Sequence, residues 1–269
     1  IAADPNPYPN LYGIKAFAAV KLGDTLAAKQ AFDLYFKKQK PAKIGPRDYA
    51  TYASLLSQSP GNEAVVIELI NKAVALDTLE TNKAAYLKWL GQEFVKQKNY
   101  AEAAKAYGRV ISVKSNFTNV DLFNAGYNFY IVDAYDSSSR YFKLYTEKYP
   151  DDIMGYYMLG NAYSVIDSTS ELGLAIPYFQ KTIEIGEADT TRPNVKTRLM
   201  VAYKFFLGYY FNYKKNKDSA LIYVDKALLL DPTDESMISN KEFIMKYDPN
   251  AAPKQAAKKP QGQAATKNK

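Results

Sequence analysis

A small or apolar residue followed by glycine, with an aromatic three positions further on, recurs along this chain. The copies are Leu90-Gly91 with Phe94, Ala125-Gly126 with Phe129, Leu159-Gly160 with Tyr163 and Leu207-Gly208 with Phe211. The first three glycines stand 35 and 34 residues apart. Glycine inside an apolar, helix-patterned run costs roughly 1 kcal/mol relative to alanine. Its return at a fixed interval marks a position where a partner helix comes close and a side chain would hold the two apart. A second pair follows each glycine: Ala103 and Tyr107, Ser138 and Phe142, Ala175 and Phe179, Ala220 and Val224. In three of the four copies the glycine lies 16 residues before the second member of that pair. Two weaker copies come first, Ala16 ahead of Ala28 and Phe32, then Ala53 ahead of Val66 and Ile70. A period of this length predicts stacked two-element units that share one continuous core.

The pattern resembles the tetratricopeptide repeat (TPR) family, whose helix-turn-helix unit puts Leu-Gly and an aromatic on its first helix and a small-then-aromatic pair on its second. Pro150 and Pro232, each eight residues past the matching large residue, occupy the place of that family's terminal proline. The resemblance implies an all-α fold: an α-solenoid, a right-handed superhelix of about six hairpins with a C-terminal capping helix. The hairpins are expected at about 8–40, 46–80, 84–118, 119–152, 153–189 and 193–232, and the cap at 234–247. Residues 1–7 begin "IAADP", which is similar to "LLLDP" at 228–232. They are expected to be the end of a preceding repeat, so that the chain begins inside a longer array. Residues 248–269 have almost no large apolar side chain and are expected to form a disordered basic tail.

Composition narrows the function. Lys254, Lys258, Lys259, Lys267 and Lys269 supply five of the seven net positive charges, leaving a nearly neutral body. That argues against a phosphate-binding face, so no nucleic-acid partner is expected. There is no cysteine and no histidine, which removes thiolate and imidazole chemistry and with it the usual nucleophile-base and zinc arrangements. No phosphate loop or dinucleotide fingerprint occurs. Carboxylates such as Asp151-Asp152, or Glu184 with Glu187, fall at helix starts, turns and solvated faces. A non-catalytic chain without cofactor, metal site or transmembrane segment is expected; its oligomeric state is open. The residue usage resembles that of TPR proteins of Bacteroidota, which favours a periplasmic or exported location over a cytoplasmic one.

In the TPR family the first helices line a concave groove that takes peptides or partner helices. The resemblance places in such a groove Lys88, Trp89 and Gln92, then Phe123, Asn124, Tyr127 and Tyr130, then Tyr157, Met158 and Asn161, and finally Phe205, Phe206, Tyr209 and Tyr213. Most are aromatic, in a chain with 24 tyrosines, and rings with a polar tip suit recognition surfaces. The family's clamp for acidic C-terminal peptides is only half present. Lys88, Gln92 and Asn124 occupy its places, but Met154 and Met158 stand where two cations belong. A groove for an apolar or Tyr/Pro-rich segment fits better, in a scaffold for protein-protein interaction. The alternative is a glycan or small-molecule receptor that uses the same aromatics. A third possibility has the basic tail anchoring the chain to an anionic surface. "VIDSTSELG" and "EADTTRPNVKTRL" depart from the period and are expected to be longer connections.

Overall fold

The computed structural model describes residues 8–248. The segments expected to be a preceding repeat (1–7) and a basic tail lie outside the described residues, Asp248 excepted. Thirteen α-helices and no strand occur among the described residues. In order they are α1 (Pro9–Lys21), α2 (Thr25–Lys38), α3 (Pro46–Leu56), α4 (Glu63–Leu76), α5 (Glu80–Lys96), α6 (Tyr100–Val113), α7 (Asn119–Ile131), α8 (Tyr135–Lys148), α9 (Ile153–Ile166), α10 (Ile176–Ala188), α11 (Val195–Gly208), α12 (Lys217–Leu230) and α13 (Glu235–Lys246). A 3-10 turn spans Pro41–Lys43, and a π-helical turn, Tyr209–Tyr213, extends α11. The chain divides into two compact units, one up to Ala202 and one from Tyr203 onward.

Local chemistry sets the helix boundaries. Asp24, Asn99 and Asn216 each accept a hydrogen bond from the backbone N–H three residues on, which caps α2, α6 and α12. Thr118 and Asp121 close a reciprocal capping box at the start of α7. One position further upstream, the tight turn inside four hairpins uses a left-handed residue: Gly23, Lys98, Asp133 and Lys215 have φ of 75°, 59°, 58° and 51°. Only the first is glycine, so the other three carry a conformational cost that the packing on either side must offset.

In the first unit each odd-numbered helix from α1 to α9 packs on the even-numbered helix that follows, and successive hairpins stack in sequence. The glycine period is the contact that closes each hairpin. A Cβ at Gly91 would lie 2.8 Å from the Tyr107 ring, and at Gly126 or Gly160 it would lie 2.7 Å from Phe142 or Phe179. No real side chain fits there without moving the ring. A second set of close approaches joins one repeat to the next. A Cβ at Gly155 would meet Tyr145 and Thr146 at 2.8 Å, and one at Gly186 would meet Leu199 at 2.7 Å.

The fourth copy of the pattern behaves differently. A Cβ at Gly208 would find nothing nearer than Asn212 at 3.8 Å, which corrects the expectation that all four glycines are close-packing positions. The physical reason is the π-helical turn that begins one residue later. Lys214 N–H donates to the Tyr209 carbonyl at 3.0 Å across the wider ring, and the following side chains are rotated relative to a continuous α-helix. In this second unit Phe206, not Gly208, meets the partner helix, stacking on Tyr223 at 4.9 Å between ring centroids.

The "VIDSTSELG" connection is organised from within. The buried Asp167 carboxylate accepts the backbone N–H groups of Leu172 and Leu174 at 3.3 and 3.2 Å. The loop is thereby pinned back onto the end of α9, and its carboxylate has a structural role.

Candidate functional site

On α7, Phe123, Tyr127 and Tyr130 recur at helical spacing and share one side of the helix. Tyr127 is 40% exposed and lies flat against Phe123, with centroids 5.2 Å apart and planes 12° apart. Tyr130 is pushed above the usual tyrosine pKa, first by burial, then by the nearby hydroxyl of Tyr157 and the Asp133 and Tyr127 groups. The hydroxyls of Tyr130 on α7 and Tyr157 on α9 are thus close enough to interact electrostatically, and Phe123, Tyr130 and Tyr157 are half-buried and packed on the core beneath. Gln92 is exposed at the neighbouring turn of α5, and Asn124 and Asn161 are half-exposed. Together these supply flat apolar area with amide donors and acceptors around it.

Two of the sequence-chosen residues do not belong to any open surface. Met158 is 5% exposed and Phe206 is 1% exposed; both are core. The correction has one cause in both places: a helix that packs on two neighbours needs a wide apolar stripe, and the residue next to the groove-facing one falls inside it.

Lys88 has a different fate from the one its position suggested. Its Nζ lies 2.5 Å from Asp121 Oδ1, and Lys114 Nζ lies 3.3 Å from Asp121 Oδ2. Asp121 has a 2% exposed side chain. Burial alone would raise its pKa. The Lys88 hydrogen bond, the Thr118 backbone and hydroxyl, and the charge of Lys88 outweigh it and hold the carboxyl at about 2. Lys88 is thus spent on joining α5 to α7, which takes up the one cation left of an acidic-peptide clamp.

Trp89 faces a cavity of about 330 Å3 between α3 and α5, lined by Arg47, Ala50, Thr51, Ser54, Ile70 and Tyr86. The first two repeats lack the marker glycine, so the groove residues expected from the repeat pattern span 88–213 and leave out the α3 wall of this cavity. The neighbouring aromatics Phe17, Tyr49 and Tyr52 around a lone Arg47 were the available signal.

In the second unit Phe205, Tyr209 and Tyr213 form a ladder along the end of α11 and the π-helical turn. Phe205 and Tyr209 are 6.3 Å apart with planes 8° apart, and Tyr209 and Tyr213 are 5.7 Å apart. Lys214 caps the ladder, its ammonium 4.9 Å from the Tyr213 centroid.

No group of three or more His, Cys, Asp or Glu side chains among the described residues is placed to hold a metal ion. None of the described helices is long and apolar enough to cross a membrane.

No protein-family model and no curated protein matches the chain. Solved structures do. The C-terminal part of a TPR repeat-containing protein from Cytophaga hutchinsonii is 23% identical, covers 89% of this chain and 90% of its own length, and superposes with a TM-score of 0.59. YrrB, described as a TPR protein with an unusual peptide-binding site, is 18% identical over 79% of this chain and 98% of its own, with a TM-score of 0.48. The first likeness, with the all-helical stacking of hairpins, shows a TPR fold.

Proposed function

We propose that this chain of TPR fold is a non-catalytic interaction scaffold whose odd-numbered helices from α1 to α9 dock an extended peptide or a partner helix. The observation that carries the reading is Tyr127. Its ring is held flat on Phe123 on the side of α7 that also carries Tyr130, so apolar area is presented to solvent already ordered. Rigid rings of this kind give contact area at low entropic cost, and exposed aromatic surface marks interaction sites. The amides of Gln92, Asn124 and Asn161 suit the main-chain N–H and C=O groups of an extended segment.

The test compares binding of a displayed random peptide library and of an oligosaccharide array by the full chain and by Tyr127→Ala. Lys105→Ala, on the exposed face of α6, is the control. The reading predicts peptide ligands that are lost with Tyr127→Ala and kept with Lys105→Ala, at an unchanged melting temperature. Oligosaccharide ligands in their place would make the same aromatics a glycan-binding surface.

A further inference from the structure

The first three hairpins hold a second arrangement, of which the sequence pattern singled out only Trp89. Between α1 and α3 lies a cavity of about 480 Å3, lined by Gly13, Ile14, Phe17 and Ala18 with Tyr35 and Asp48. Between α3 and α5 lies the cavity that Trp89 faces. Arg47 belongs to the second cavity and reaches toward the first, with its guanidinium carbon 5.2 Å from the centroid of Phe17. Its charge is also felt at the Tyr86 hydroxyl on the far side, where it opposes that group's upward pKa shift. Arg47 therefore forms the ridge between two apolar hollows.

Arg47 is exposed and makes no ion pair among the described residues. The adjacent carboxylate is occupied: Asp48 accepts the Gly45 N–H at 2.8 Å and the Tyr35 hydroxyl at 3.1 Å. Lys21 also lines the first cavity, and the Asp77 carboxylate behind the second is taken up by the Tyr86 hydroxyl at 2.9 Å. The stretch 8–60 as a whole is basic, with Lys15, Lys21, Lys29, Lys37, Lys38, Lys40, Lys43 and Arg47 against Asp24, Asp33 and Asp48. A guanidinium held over a ring is restrained in place, while its in-plane N–H donors stay available for a carboxylate. Charge complementarity thus selects an acidic occupant, and the two hollows select apolar side chains on either side of the acid.

We propose that Arg47 and its two flanking cavities form a subsite for an extended acidic peptide segment, in which a Glu or Asp carboxylate pairs with the guanidinium between two apolar side chains. The subsite rests on the reading of the odd-numbered helices as a peptide-docking surface and assigns it a polarity and a place. It differs from the acidic-tail clamp in its residues and in its need for apolar neighbours of the carboxylate.

The experiment is fluorescence anisotropy at low salt. It uses the full chain and a fluorescein-labelled glycine-rich peptide in which two leucines flank a glutamate. Replacing Arg47 by Glu is expected to weaken binding by at least about tenfold, and replacing the peptide's glutamate by glutamine by a similar factor, with affinity falling as salt rises. Ala18→Trp, at an exposed position that lines the first cavity, should weaken binding with the guanidinium intact. Thermal melts of both variants report that the fold is kept. Equal affinity of Arg47→Glu, or equal affinity for a peptide with lysine in place of glutamate, overturns the subsite. Loss on Tyr127→Ala with no loss on Arg47→Glu also overturns it, while leaving the broader docking surface standing on α7. No binding of the probe by the wild-type chain overturns the subsite as well. The peptide-library comparison with Tyr127→Ala then decides the broader reading by itself.

Discussion

Lys88 and Asp121 join α5 to α7 through a 2.5 Å ion pair whose acidic half is almost wholly buried. Removing the ammonium leaves a desolvated carboxylate with only Lys114 and the capping box. Lys88→Met is therefore expected to cost about 1 to 3 kcal/mol, less than an isolated buried pair because Lys114 remains. The pair also fixes an acid limit. The Asp121 pKa is depressed to about 2, so its contribution is complete above the ordinary carboxylate value and is lost as pH falls from about 4 toward 2. Chemical denaturation of wild type and Asp121→Asn across that range should show the difference between them shrinking as the acid limit is approached.

The glycines make a paired prediction. At Gly126 even a methyl group meets Phe142, so Gly126→Ala should destabilise, by about 1 to 3 kcal/mol, despite alanine's better helix propensity. At Gly208 the backbone is helical, with φ −61° and ψ −44°, and the space is open. Gly208→Ala should therefore be neutral or stabilising, by up to about 1 kcal/mol. Thermal melts that move both variants in the same direction would contradict the difference between the two sites.

Tyrosine-carboxylate pairs recur at the joints between helices. The Tyr35 hydroxyl donates to Asp48 at 3.1 Å, Tyr86 to Asp77 at 2.9 Å and Tyr145 to Asp152 at 2.5 Å, and Tyr52 pairs with Asp33. Burial first, and the carboxylate second, push Tyr35 and Tyr86 up to about 12. A raised folded-state pKa means that the stabilisation is complete below pH 10 and is lost as pH rises through about 12. Unfolding followed by circular dichroism should show a steep alkaline decline. Tyr86→Phe should flatten it, at a cost of about 1 kcal/mol at neutral pH from the lost hydrogen bond.

Lys98 adopts φ 59° in the turn between α5 and α6, where the equivalent position between α1 and α2 is Gly23. Lys98→Gly relieves the left-handed penalty and is expected to raise stability by about 0.5 to 1 kcal/mol, read as a higher denaturant midpoint at unchanged slope.

Much of the hairpin packing was legible in the sequence because the rule is local and repeated. Gly91, Gly126 and Gly160 each needed a large ring on the following helix, and the pairs ending in Tyr107, Phe142 and Phe179 supplied it, 16, 16 and 19 residues on. Gly208 satisfied the same local rule and yet stands open, since the π-helical turn beginning at Tyr209 depends on how the end of α11 meets its neighbours.

The candidate site divides in the same way. Residue type and spacing put Phe123, Tyr127 and Tyr130 on one side of α7. Only packing decided that Met158 and Phe206 are core. The resemblance placed Lys88 in the groove as a clamp cation, and Asp121, 33 positions away, turned it into a structural link. The sequence by itself determined the repeat, the all-helical class and the absence of imidazole and thiolate chemistry, because each follows from residue identity and period. Which charges are spent and which rings remain open were decided by the tertiary structure, because both depend on partners that stacking brings together from separate repeats.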